Sequence, residues 1–208
     1  MKLDTSFPAY ALDPGTTAAV LPHNLDNIAA EFPDPEDPRW HVFRGDHEPL
    51  KRQGMADCWG PATTALILDL ISPSMCQSVA RMFGYDVLIG DVYGGGMHLS
   101  GPGAHLDVHR DFNRHPVTGW RRRANLLLYL NEGWQEDWGG VLELDHSAKV
   151  LPEMGTMVVF ECSEDSWHGH PVPITEGHWR KSIATYFYDP SDTVSDRDNH
   201  DTQWWDEQ

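Results

Sequence analysis

Basic residues are scarce in this chain of 208 residues: Lys and Arg number 15 against 32 Asp and Glu, a formal charge of -17. That balance argues against a general affinity for nucleic acid backbone or anionic lipid, so the expected partner is a small-molecule or peptidyl substrate, with no nucleic acid and no membrane. Cysteine is sparse too. Cys58, Cys76 and Cys162 lie far apart without a CxxC spacing, which suggests neither a zinc knuckle nor a disulfide framework and suits reduced thiols in a cytoplasmic protein. Long hydrophobic runs are missing. The longest apolar-rich stretch, Ala62 to Ile71, is too short and interrupted to span a bilayer, and Met1 to Tyr10 has no signal-peptide core.

What is present suggests one catalytic domain with decorated ends. Residues 1–52 carry Pro8, Pro14, Pro22, Pro33, Pro35, Pro38 and Pro49 among many acids, and read as an irregular wrap or a set of short elements. A domain over 53–190 follows, opening with two helices within 60–83: Ala65, Leu66, Leu68 and Leu70 mark the first, and Met75, Val79 and Met82 the second. Over 86–189 short apolar runs alternate with Gly and Pro, the rhythm of an all-β sandwich or barrel. The run Leu126 to Leu130 is apolar on both alternating faces and belongs inside. Gly139-Gly140 ahead of a strand suits a bulge or a close backbone approach. Residues 191–208 read as an acidic, loosely docked tail whose anchor is Trp204-Trp205.

The chemistry gathers in the β region. Side chains two apart on a strand share a face, so an H-x-D tripeptide offers one nitrogen and one oxygen to a single ion. Two such tripeptides occur in the same phase, His105-Leu106-Asp107 and His109-Arg110-Asp111. Equivalent positions are roughly 13 Å apart at about 3.3 Å per residue, so one ion cannot use both. Asp111 begins a loop, Phe112 to Pro116, which gives its pair an open side and favours His109 and Asp111. A third donor is expected from the Trp167-His168-Gly169-His170-Pro171 segment. Two histidines and one carboxylate on one side of a metal leave open positions, the arrangement of non-haem Fe(II) oxygenases. Arg180 and Ser182 share a strand face and can clamp a carboxylate.

Taken in order, Gly103 to Asn113, Arg123 to Asn131, Trp138 to Leu144, Ser166 to Pro171 and Arg180-Lys181-Ser182 resemble the 2-oxoglutarate and Fe(II)-dependent oxygenase superfamily, in its branch related to prolyl 4-hydroxylases. The resemblance covers about half of the chain. It implies a mainly β fold, a double-stranded β-helix (a cupin-like jelly-roll barrel) with flanking N-terminal helices. It also implies iron held by His109, Asp111 and His168. Arg180 would grip the far carboxylate of 2-oxoglutarate, helped by Ser182 and Tyr129, with Asn125 and Leu127 lining the same pocket. The cofactors implied are Fe(II), 2-oxoglutarate and O2, with ascorbate as an accessory, and the reaction is hydroxylation coupled to decarboxylation of 2-oxoglutarate to succinate and CO2. Halogenating relatives lack the carboxylate that Asp111 supplies. Tyr93 stands where relatives often carry a tyrosine, though the Gly94-Gly95-Gly96 insert follows it. His146 lies where closer relatives have a longer loop.

Two other readings use the same residues. A cupin-type metal enzyme without 2-oxoglutarate would share the fold and ligands but leave Arg180 and Ser182 unexplained. A non-catalytic jelly-roll module would not need an intact ligand set. His98, His105 and Asp107 are read as surface or supporting residues, and Arg121-Arg122-Arg123 as a solvated turn.

Overall fold

A computed structural model of the chain describes residues 1–145 and 147–207, so His146 lies outside the described residues. Two antiparallel sheets face each other. The larger runs β1 (Ala9–Leu12), β9 (Met157–Glu161), β6 (Trp120–Tyr129), β11 (Arg180–Thr193), β4 (Ile89–Ser100), β3 (Arg52–Gly54), β2 (His41–Val42). The smaller runs β12 (Gln203–Trp204), β5 (Leu106–Arg110), β10 (His168–His170), β7 (Leu142–Leu144), β8 (Ala148–Val150). Both sheets are antiparallel throughout, and this mainly β sandwich carries the double-stranded β-helix expected from the sequence.

Alternation along β6 explains why its leucine run is apolar on both faces. Leu126 and Leu128 point to the helical side, where they join Leu66, Ile67, Leu70 and Val79 in one core. Asn125, Leu127 and Tyr129 point the other way, toward the smaller sheet. β11 repeats the division: Ile183 and Phe187 pack under the helices, while Arg180 and Ser182 face inward. β6 and β11 thus each carry a core face and a site face.

The covering layer is α3 (Pro61–Leu70) and α4 (Pro73–Phe83). Each starts with proline at its first helical position, where the missing N–H costs nothing. Ser72 caps α4 by accepting from the Met75 amide, and Gly84 ends it with φ 78°, a left-handed conformation that glycine adopts freely. Two helices were expected here, but Leu68 is not part of their core face: it is 60% exposed, and Ile67 takes the buried position.

The proline-rich first part is more ordered than an irregular wrap. β1 pairs with β9, and β2 and β3 extend the far edge of the large sheet. Between them lie α1 (Pro14–Val20) and α2 (Leu25–Ala30), capped by Asp13 and Asn24. The far end is also built in. β11 continues to Thr193, and β12 pairs with β5, with Trp204 opposite His109.

Candidate functional site

β5 and β10 are direct neighbours, and their register sets His168 opposite His109. A side chain at Gly169 would meet the Asp107 carbonyl at 2.7 Å, so glycine there lets the two strands close on each other. Asp111 follows immediately after β5, where the chain turns away. His109 Nε2 lies 3.7 Å from Asp111 Oδ1, and His168 Nε2 lies 3.4 Å from Asp111 Oδ2. One ligand atom from each falls within 4.8 Å of the other two. The imidazole rings sit 4.4 Å apart, centre to centre.

The histidines present the right nitrogens. His109 Nδ1 is 2.8 Å from the Asp107 carbonyl and His168 Nδ1 is 2.8 Å from the Ser166 carbonyl. A carbonyl only accepts, so each Nδ1 donates to its carbonyl, which leaves each Nε2 facing Asp111. Burial, followed by the neighbouring His109, pushes His168 down to about 4, which keeps it a neutral donor.

Asp111 has a support of its own. Burial raises a carboxyl, but the Arg122 guanidinium, followed by the two imidazoles, holds Asp111 well below the usual carboxylate range. Arg122 NH2 is 3.1 Å from Asp111 Oδ2, and the Asn125 amide donates to the same oxygen at 2.6 Å. Arg122 Nε donates to Asn125 Oδ1, and its guanidinium lies 3.5 Å from the centre of the Tyr186 ring. Arg122 is 1% exposed and is no solvated turn residue. The other two arginines of the run pair with carboxylates of β11, Arg121 with Asp192 and Arg123 with Asp192 and Asp189.

The reason lies in register. Between Phe187 and Tyr188 the pairing of β11 with β6 slips, and Arg122 comes opposite Tyr188 although Ala124 is opposite Phe187. Simple alternation from Asn125 would put Arg123 on the site face; the extra residue puts Arg122 there instead.

At the other end of the same cavity sits Arg180, 5% exposed. Its Nε donates to the Gly140 carbonyl and its guanidinium stacks 4.8 Å from the centre of the Tyr129 ring. Among the described residues no carboxylate pairs with it. Burial pulls Arg180 below its usual value, opposed by Tyr129. Gly139 and Gly140 both have positive φ, and a side chain at Gly139 would lie 2.2 Å from the Pro173 carbonyl, so the expected close approach is present. Ser182, Asn125 and Leu127 line this cavity; Tyr129 stands behind Arg180 with its hydroxyl buried.

His170 is buried on the cavity wall but is not in the group formed by His109, Asp111 and His168. Tyr93 lies away from the cavity, 52% exposed and edge-on to Phe112. The glycine insert makes a bulge in β4, since Gly96 is opposite Ala184 but Asp91 is opposite Tyr186. From that strand His98 and Ser100 line the cavity instead, and Lys51 joins them from the N-terminal part. Lys51 carried no sequence signal. His98, read from the sequence as a surface or supporting residue, faces the cavity.

Residues 95–188 match the family model of the 2OG-Fe(II) oxygenase superfamily. In sequence the chain is similar to mouse prolyl 3-hydroxylase OGFOD1, 32% identical over 80 residues, which are 34% of this chain and 15% of that protein. In structure it is similar to a Pseudomonas putida prolyl 4-hydroxylase, with a TM-score of 0.63 at 20% identity over 88% of this chain and 93% of the other. A Trichoplax adhaerens prolyl hydroxylase, solved with a hypoxia inducible factor peptide fragment, gives a TM-score of 0.59 at 14% identity over 88% and 84%. Residues 95–188 thus carry a sequence match to the 2OG-Fe(II) oxygenase superfamily, and the fold agrees with that of the solved prolyl hydroxylases.

Proposed function

We propose that the protein is an Fe(II)- and 2-oxoglutarate-dependent hydroxylase acting on a prolyl or other peptidyl residue, with succinate and CO2 as coproducts. One observation carries the reading. A single cavity holds a His-Asp-His group at one end and, at the other, a buried arginine with no carboxylate partner among the described residues. A buried cation without a counter-ion is costly, and an incoming carboxylate removes that cost. The donor set fits iron, and the lone guanidinium beside Ser182 fits the far end of a dicarboxylic acid. A cupin-type enzyme without 2-oxoglutarate would have no use for that arginine.

Bound iron and 2-oxoglutarate supply the oxidising power, and the chain supplies geometry. His109 and His168 hold their Nε2 atoms inward through backbone hydrogen bonds. Arg122 and Asn125 hold Asp111 by Oδ2, so the carboxylate stays ionised and oriented. Gly140 fixes the Arg180 guanidinium. Leu127, Leu142 and Phe160 make the wall between the two ends apolar, which limits water there. The peptidyl preference rests on the named relatives, both the mouse prolyl 3-hydroxylase and the peptide-bound Trichoplax enzyme.

The test is an anaerobic Fe(II) titration with and without 2-oxoglutarate, following the weak visible charge-transfer band, and then succinate release on admitting O2. Arg180→Ala is expected to lose 2-oxoglutarate affinity while retaining iron. Retention of full 2-oxoglutarate affinity by that variant would refute the assignment.

A further inference from the structure

The second H-x-D pair of β5 is not idle surface. The loop before β3 returns to β5, where the Asp107 amide donates to the His47 carbonyl, and this places the His47 ring beside the Asp107 carboxylate. The C-terminal turn Trp205–Glu207 brings Asp206 to the same point. Three segments remote in sequence thus deliver one donor each, all within 4.8 Å of one another.

The His47 and Asp107 side chains are within hydrogen-bond distance of each other, and the spacing of the three donors also admits an ion between them. His47 Nδ1 is 3.0 Å from Asp107 Oδ2 and 3.9 Å from Asp206 Oδ1. A tetrahedral zinc ion with bonds of about 2.0–2.1 Å has donor-to-donor edges of about 3.3 Å, between those two distances. His105 Nε2 is 3.5 Å from the other oxygen of Asp107 and stands outside this group of three. An imidazole beside two carboxylates suits a borderline ion such as zinc or cobalt better than calcium or magnesium, which take oxygen donors only.

We propose that His47, Asp107 and Asp206 form a divalent-cation site that fastens the C-terminal strap across β5. The His47 ring stacks on Trp204 at 4.4 Å, and Trp204 in turn lies 5.3 Å from the His109 ring. An ion at this cluster therefore fixes the aromatic ring that neighbours the His-Asp-His group. None of its ligands belongs to that group, so the proposal does not depend on the assigned activity.

The experiment is a titration of the metal-stripped full chain with Zn(II) alone, read by competition with a chromophoric chelator. Asp206→Asn alters an exposed side chain, and far-UV circular dichroism checks that its fold is intact. The variant is expected to bind one zinc equivalent fewer than the parent chain, and His47→Gln to reproduce that loss. In a His168→Ala background, Co(II) is expected to quench the fluorescence contributed by Trp204, and the added Asp206→Asn to abolish the quenching. Equal zinc stoichiometry in the parent, Asp206→Asn and His47→Gln chains would overturn the site, whatever the His-Asp-His group binds.

Discussion

β5 and the residue after it carry two His-x-Asp pairs four residues apart, and the chain treats them differently. His109 and Asp111 are enclosed: His109 is 5% exposed, and Arg122 and Asn125 engage the carboxylate from behind. His105 and Asp107 are half-open, and their partners come from a loop and the chain end. On the proposed reading, the tripeptide alone is therefore not what makes a catalytic ligand pair. Enclosure and a second layer of charged support make the difference, because a buried carboxylate must be paired and its neighbours keep it ionised.

The widest test of that contrast is to remove a donor from each side. His168→Ala is expected to lower succinate formation by roughly a hundredfold or more, since even residues that only support metal ligands cost 10–100-fold. Asp107→Asn, measured in the same assay, is expected to stay within about threefold, as for a group that does not meet substrate. Equal losses in the two would erase the distinction.

Arg122→Met attacks the support itself. It leaves Asp111 buried without its cation, at a cost of about 3–5 kcal/mol in metal-free protein by denaturant unfolding. Added Zn(II) is expected to recover much of that loss, because an ion replaces the missing positive charge and binds only the folded state.

A smaller effect should separate the enclosed cavity by pH. Burial, then Lys51 and Arg180, pushes His98 down to about 3 from its ordinary 6.5. The unfolded chain takes up a proton at this position below about pH 6.5 and the folded chain does not. The contribution is therefore present above pH 6.5 and is lost as pH falls toward 3. Urea midpoints between pH 7 and 4 are expected to fall less steeply for His98→Gln than for the parent.

The smallest change belongs to the open cluster. Asp206→Asn in metal-free protein is expected to shift stability by less than about 0.5 kcal/mol, as exposed charges do. A larger shift would mean that the strap is held by the ion pair alone.

Much of this organisation was legible in the residues. Turn residues between apolar runs gave the strands, and helical spacing gave α3 and α4, because local pattern and tertiary burial agree there. Strand alternation put His109 with Asp111 and Arg180 with Ser182 on shared faces, while the choice among the histidines leaned on the loop after Asp111 and on the family resemblance. Arg122 could not be placed in that way, since a register slip moves it to the site face and only pairing with β11 reveals the slip. Tyr93 was displaced by the bulge at Gly94 to Gly96 for the same kind of reason. β2 and β12 are two residues each, too short for any periodic signal, and are specified by their partners.

The pairing of Gln203 and Trp204 with Arg110 and His109 has one more result. A bare outer strand is an invitation to any extended polypeptide, which can zip onto its unused amides and carbonyls. Here the protein's own last residues occupy that rim, so a foreign strand could attach beside His109 only by first peeling them away.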